Sequence, residues 1–176
     1  MSWQGRLFVL DQRISRWLRV AEKPGLLRSL AILLAHSGDS WFWLLGLVLL
    51  WWRGGDFWRG RALALGIGIL VTAALVMSVK FTVRRRRPAG EWGKIYRSTD
   101  PHSFPSGHAA RAILLAVMAV GLGPGWLGAL LWVWAPLVVL ARVAMGLHYV
   151  SDVLAGALLG LVMGVLILGF LPAFPA

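Results

Sequence analysis

The sequence predicts an all-α polytopic membrane bundle, with about six transmembrane helices behind an N-terminal helix that lies in the interface. Three observations carry this. Of 176 residues, 59% are hydrophobic and the mean hydropathy is +0.73, too apolar for a soluble domain. The apolar residues fall in runs closed by Gly, Pro and clusters of charge, the pattern of successive spans. Several of the 11 tryptophans, among them Trp41, Trp51, Trp52, Trp58 and Trp126, sit at run ends, where interfacial aromatic belts form.

The first element is amphipathic. Trp3, Leu7, Leu10, Ile14, Trp17 and Leu18 recur at helical spacing while Arg6, Arg13, Arg16 and Arg19 fill the other positions, which suits a helix in the headgroup layer. It is basic and offers no small-residue cleavage site, so a removable signal peptide is not expected. The chain then reads as one domain: residues 1–23 as the interfacial helix and 24–176 as the bundle. After Pro24-Gly25 come two short apolar runs, 26–36 and 41–52, separated by Ser37-Gly38-Asp39. Each is short for a span of about 20 residues; they are read as the two helices of a hairpin, although the first alone would also suit a re-entrant segment. Ala62 to Val79 contains no charge and is closed by Arg61 and Lys80, which makes it the cleanest span. A polar loop follows over 81–107. The uncharged stretch from Ala112 to Ala141 is interrupted by Gly121-Leu122-Gly123-Pro124-Gly125, a sequence that breaks helices, so two short spans are expected. The last runs from about Tyr149 to Leu171.

Three polar clusters lie at the edges of these runs: Lys80 with Arg87-Pro88, then Pro105-Ser106-Gly107-His108, then Arg142, His148 and Asp152. If 121–125 is a turn, all three meet on one membrane face. Together they supply cations for phosphate oxygens, a nucleophile and an acid, the parts that phosphoryl transfer needs. Ser106 suits an N-cap, Gly107 allows close backbone approach, and the free N–H groups of a helix start bind anions. His108 at that turn suits a proton donor. His148 and Asp152 share a helical face at a spacing of four, so the carboxylate can orient the imidazole, and Arg142 can clamp phosphate through its planar fork.

Plainer roles exist for the same residues. Lys80 and Arg87 also suit snorkelling to lipid phosphates, and Arg84, Arg85 and Arg86 are assigned to headgroup attraction. His36 and His102 read as interfacial or loop residues, and Asp39 as a helix cap. Arg111 suits either support of the site or snorkelling. The net charge of +11 does not indicate nucleic acid, because the cations sit at the ends of apolar runs and face lipid headgroups instead. Cysteine is absent, which excludes disulfides, thiol nucleophiles and thiolate metal sites.

Lys80-x6-Arg87-Pro88, Pro105-Ser106-Gly107-His108 and Arg142-x5-His148-x3-Asp152 together resemble the three signature motifs of the type-2 phosphatidic acid phosphatase superfamily. The resemblance implies a six-helix bundle with both termini inside and, in bacterial members, a site on the outer face of the inner membrane. It implies that His148 is the nucleophile forming a phosphohistidine, that Asp152 orients it and that His108 protonates the leaving oxygen. Lys80, Arg87, Ser106, Gly107 and Arg142 would bind the phosphate, with no metal and no cofactor. Ala141 stands where the family usually has serine, so one phosphate hydrogen bond of the family is lost or replaced. The expected function is metal-independent hydrolysis of a phosphorylated membrane lipid. Undecaprenyl diphosphate, phosphatidylglycerophosphate and phosphatidate all fit. A metal-dependent hydrolase using His108, His148 and Asp152 as ligands, and a noncatalytic phospholipid-binding or scramblase-like protein, are the alternatives. With both termini inside, Lys and Arg divide evenly between the two sides, so charge alone does not orient this arrangement.

Overall fold

A computed structural model describes residues 3–90 and 100–171. The described residues form seven helices: α1 (Trp3–Trp17), α2 (Leu26–Ser37), α3 (Ser40–Arg53), α4 (Asp56–Val83), α5 (Gly107–Leu122), α6 (Gly125–Ala144) and α7 (Val150–Phe170). Among these residues the β-pairing is one isolated bridge between Arg86 and His102. Gly93 and the rest of the polar loop over 91–99 lie outside the described residues.

The spans differ from the six expected. By length and composition α4, α6 and α7 can cross a membrane, and α2 with α3, joined at a bend of 51°, makes up to a fourth. A bend of that size does not turn the chain back, so α2 and α3 are not a hairpin. The packing agrees: a Cβ on Gly38 would lie 3.0 Å from Val138, the rings of Trp43 and Trp134 are 5.1 Å apart, and Leu50 shares an apolar groove with Leu127 and Leu131. Contacts that rise along α2–α3 fall along α6, so the bent pair runs antiparallel to α6 as one pass. Only Gly38 and Asp39 link the two helices, too few to reverse direction. The Ser37 carbonyl freed at the break accepts from Trp43 Nε1 at 2.9 Å, which satisfies an orphan helix-end group.

This path puts α1 at the end of the bundle where α7 begins. Ser15 Oγ accepts from the Val150 N–H at 2.9 Å and Asp11 Oδ1 from the Ser151 N–H at 3.1 Å. Phe170 lies at the other end, so the described residues begin and finish at opposite ends of the bundle rather than on one side. The apolar face of α1 remains open, with Leu7 and Trp17 at 55% and 80% exposure, as an interfacial helix requires.

At the centre is α5, buried without interruption from Ala109 to Ala119. It has no lipid-facing stripe, and its 16 residues are sheathed by the longer helices. Its closest neighbour is α7, which presents Gly156, Gly160 and Gly164 at a spacing of four. A Cβ on Gly160 would collide with the Ala110 carbonyl, and one on Gly164 would lie 2.8 Å from Val117. Small residues in this register let two helix backbones approach closely in a membrane.

Candidate active site

The end of α4, the starts of α5 and α7 and the end of α6 meet at one end of the bundle. They surround a cavity of about 500 Å³ lined by Lys80, Asp100, Gly107, His108, Arg111 and His148, with Ile69, Val76 and Met77 of α4 and Trp41 of α3 on its apolar side. The polar wall sets the cations Lys80 and Arg111 against the carboxylates Asp39 and Asp100, and the apolar wall is made by helices that face lipid.

Two cations are held by a carboxylate absent from the sequence reading. Lys80 Nζ donates to Asp100 Oδ2 at 2.5 Å and to the His102 carbonyl at 2.9 Å. Arg87 donates through Nη2 to the same Asp100 oxygen at 2.7 Å and through Nε to the Asp100 carbonyl at 2.7 Å. Burial would raise the Asp100 pKa, but the hydrogen bond from Lys80 and the charges of Lys80 and Arg87 outweigh it and hold the carboxyl below its ordinary value. Two buried cations thus converge on one anionic oxygen, the arrangement a phosphate oxygen requires.

The tautomer of His148 follows from its partners. Nδ1 lies 2.8 Å from the Ser103 carbonyl, which only accepts, and Nε2 lies 3.1 Å from Arg87 Nη1, which only donates. The proton is therefore on Nδ1 and the lone pair on Nε2. Burial, then the charges of Arg87, Arg142 and Lys80, push the pKa of His148 well below its ordinary value, so the ring is neutral at pH 7. Arg142, in the last turn of α6, is 1% exposed, and its charge acts on both His148 and His108.

Asp152 does not orient His148 in the expected way. Its Oδ2 is 3.6 Å from His148 Nδ1, beyond hydrogen-bond reach. Instead Oδ2 accepts from the Tyr149 N–H at 2.8 Å and Oδ1 from Arg85 at 2.7 Å. The Ser103 carbonyl takes the role foreseen for the carboxylate. Arg85 is correspondingly more than a headgroup cation: it also donates to Ser151 Oγ and to Asp11 Oδ2, both at 2.6 Å, and lies 4.1 Å over the Tyr149 ring.

Ser106 is the N-cap of α5, accepting from the Ala109 N–H at 3.4 Å, and its own N–H donates to the Asp152 carbonyl at 2.9 Å. It does not line the cavity; Gly107 does. A Cβ on Gly107 would meet Val76 at an ordinary 3.5 Å, so no neighbouring protein atom demands glycine there. His108 Nε2 lies 2.7 Å from Asp39 Oδ1, and Arg111 binds the Gly38 carbonyl through Nε at 2.8 Å. Asp39, read as a cap, makes no capping hydrogen bond. Among the described residues no three His, Asp or Glu side chains are grouped to hold a metal ion. His108 is turned to Asp39, His148 to Ser103 and Arg87, and Asp152 to Arg85, which does not favour the metal-ligand alternative.

The family model described as the PAP2 superfamily matches residues 61–175. The chain belongs to the PAP2 superfamily. Among relatives in this superfamily, the decaprenylphosphoryl-5-phosphoribose phosphatase of Mycobacterium tuberculosis is 34% identical over 152 residues, covering 84% of this chain and 82% of that protein. The probable lipid phosphate phosphatase beta of Arabidopsis thaliana is 31% identical, covering 95% and 91%. The PAP2-type phosphatidylglycerolphosphate phosphatase of Bacillus subtilis superposes with a TM-score of 0.74 at 26% identity, covering 94% of this chain and 86% of that one. LpxE of Aquifex aeolicus gives 0.73 at 26%, covering 92% and 96%. The PAP2 match spans all three polar clusters. Asp39 and the α2–α3 break precede it.

Proposed function

We propose that this PAP2 protein is a metal-independent lipid phosphatase that works through a phosphohistidine on His148. The observation that carries this is the placement of the His148 ring, with Nε2 3.1 Å from Arg87 Nη1 and Nδ1 2.8 Å from the Ser103 carbonyl, which leaves the lone pair on Nε2. Lys80 and Arg87 bind the phosphate oxygens in place of the Asp100 carboxylate, with Arg142 and the Gly107 backbone completing the cradle and Ser106 holding the turn. Nε2 attacks phosphorus, the bond to the leaving oxygen breaks, and His108 gives that oxygen a proton. The ring of the intermediate is cationic. The Ser103 carbonyl and the carboxylate of Asp152 at 3.6 Å stabilise it. Water, deprotonated by His108, then releases phosphate.

The walls of the cavity support a lipid substrate. The apolar side formed by Ile69, Val76, Met77 and Trp41 accepts the start of a lipid tail while the phosphate stays among the cations. Undecaprenyl diphosphate, phosphatidylglycerophosphate and phosphatidate remain the substrates to test, joined by decaprenylphosphoryl-5-phosphoribose, the polyprenyl-linked phosphate named for the mycobacterial relative. The deciding experiment is phosphate release from these lipids by detergent-solubilised protein with EDTA present, comparing wild type with His148→Ala. Turnover that survives EDTA and disappears in the variant supports the reading. Loss with EDTA, or turnover in the variant, refutes it.

Charge placement supports a cytoplasmic site, against the outer-face expectation. With α1 at the site end, Arg6, Arg13, Arg16, Arg19, Lys23, Arg28 and Arg84 to Arg86 share that end without belonging to the phosphate clamp, whereas Arg53, Arg59 and Arg61 lie at the other. Positive charge favours the inner side. The chain contains no cysteine, so Gln12→Cys and Gly125→Cys can be labelled singly in intact cells. An impermeant thiol reagent should reach position 125 and not 12; the reverse restores the outer face.

A further inference from the structure

The break between α2 and α3 carries a carboxylate that helix capping does not explain. Asp39 occupies the residue before α3 yet makes no capping hydrogen bond. It spends one oxygen on His108 Nε2, at 2.7 Å, and the other on His36 Nδ1, at 3.1 Å. The break itself is gripped from α5. Arg111, three residues after His108, donates through Nε and Nη2 to the Gly38 carbonyl at 2.8 and 2.5 Å, and through Nη1 to Ser40 Oγ. Asp39 is thus fixed against His108 from both sides of the link, and both residues line the catalytic cavity. The carboxylate is only 20% exposed, so solvent screens the contact weakly.

We infer that Asp39 is the positioning residue for the acid step: it holds the His108 ring by Nε2, leaving Nδ1 to carry the proton that the departing oxygen receives. The inference rests on His108 being the acid. A carboxylate accepts and does not donate, so the ring proton facing Asp39 stays on Nε2. When the phosphorus–oxygen bond breaks, its electron pair stays on the oxygen, which takes the Nδ1 proton. His108 is left neutral with Nε2–H still on Asp39, and Nδ1 accepts a proton from the attacking water in the second half-reaction. The charges of Arg142 of α6 and Arg111 of its own helix act on the ring and disfavour its protonated form. Asp39 supplies the opposing charge from the break, and His36, half exposed beyond it, seats its second oxygen. Asp39 touches no reacting atom in this scheme.

The test uses two substrates that differ in their need for a proton: dioctanoyl phosphatidate, which expels an alkoxide, and p-nitrophenyl phosphate, which expels a stable anion. Asp39→Ala should lower kcat/KM, which reports the step that expels the leaving group, on the phosphatidate by about 100-fold, within the range for a general acid, and on p-nitrophenyl phosphate by less than about threefold, a selectivity a merely structural role does not produce. Asp39→Asn retains an acceptor for Nε2–H but not the charge. Its phosphatidate loss should be about tenfold, and it carries the comparison if Asp39→Ala does not elute as a folded species. Equal losses on both substrates, or no loss on the phosphatidate, overturn the inference. His108→Ala separates the causes. If it is selective while the Asp39 variants are not, only the role of Asp39 falls. If His108→Ala loses both substrates equally, or wild type returned to a bilayer hydrolyses neither, the underlying reading falls and this inference with it.

Discussion

Replacing Arg87 by lysine keeps the charge and removes the fork, which isolates what the guanidinium contributes. Its three nitrogens point in different directions: Nε to the Asp100 carbonyl at 2.7 Å, Nη2 to the Asp100 carboxylate at 2.7 Å, and Nη1 to the Leu147 carbonyl at 3.0 Å and His148 Nε2 at 3.1 Å. A lysine carries its three donors on one atom, so it can hold the carboxylate or the 147–148 turn, not both. Losing two of these contacts around acceptors that remain buried costs about 1–3 kcal/mol each, so Arg87→Lys should destabilise the protein by about 2–6 kcal/mol. Removing one preorganised donor from the transferring phosphoryl group costs about 3–4 kcal/mol, or 10²–10³ in kcat. Thermal unfolding in detergent measures the first and steady-state phosphate release the second. A variant that keeps kcat within about threefold refutes the fork as a transition-state clamp. Lost stability with intact kcat would reduce Arg87 to scaffold.

Three further outcomes follow from the packing and the charges. Gly160→Val places a branched side chain against the Ala110 carbonyl and should cost at least about 3 kcal/mol, the upper range for overpacking, seen as aggregation or a lowered melting temperature; a wild-type melt would mean that α5 and α7 are not in backbone contact. His148 should make stability fall with acid. Its folded pKa is depressed, so from about pH 6.5 downward the unfolded chain binds a proton that the folded one does not, a loss of about 1.4 kcal/mol per pH unit that is absent above that pH. His148→Asn should flatten the melting temperature between pH 6.5 and 5, and an unchanged slope would contradict a buried neutral ring. Arg85→Gln leaves Asp152 and Asp11 without their shared cation and should lower kcat by about tenfold or more while adding protease sensitivity at α1, since breaking a buried pair costs about 3–5 kcal/mol. An unaffected variant would return Arg85 to the headgroup patch.

What the sequence revealed was set by local physics, and what it concealed was set by distant partners. The uncharged run from Ala62 to Val79 lies inside α4, and the glycine cluster at 121–125 separates α5 from α6, because charge and helix-breaking act where they stand. Ser37-Gly38-Asp39 reads the same whether the chain reverses or bends. The choice is made by Arg111, 73 residues from Gly38 in sequence, and by the Trp43–Trp134 contact. Lys80, Arg87, His108, Arg142 and His148 carried a spacing that pointed to the PAP2 family, whose match covers them all. Asp100 and Ser103 had none: one is a loop acid, the other contributes a backbone carbonyl that no side-chain pattern records. Arg85 was hidden among four consecutive arginines, and only its neighbours Asp11, Ser151 and Asp152 distinguish it. Asp39 resembled a cap because it occupies a cap's position.

The tie from α1 to Arg85 gives the membrane surface a part in the architecture of the site. The apolar side of α1 is open to lipid at Leu7, Leu10, Ile14 and Trp17, while Asp11 on its inner side shares one guanidinium with Asp152, four residues from His148. How deeply α1 floats among the headgroups therefore bears on where Asp152 stands. A detergent micelle that fails to reproduce that layer would loosen the catalytic end first and leave the helical bundle intact, so an inactive preparation with full helicity would report a missing surface, and returning it to a bilayer would restore turnover.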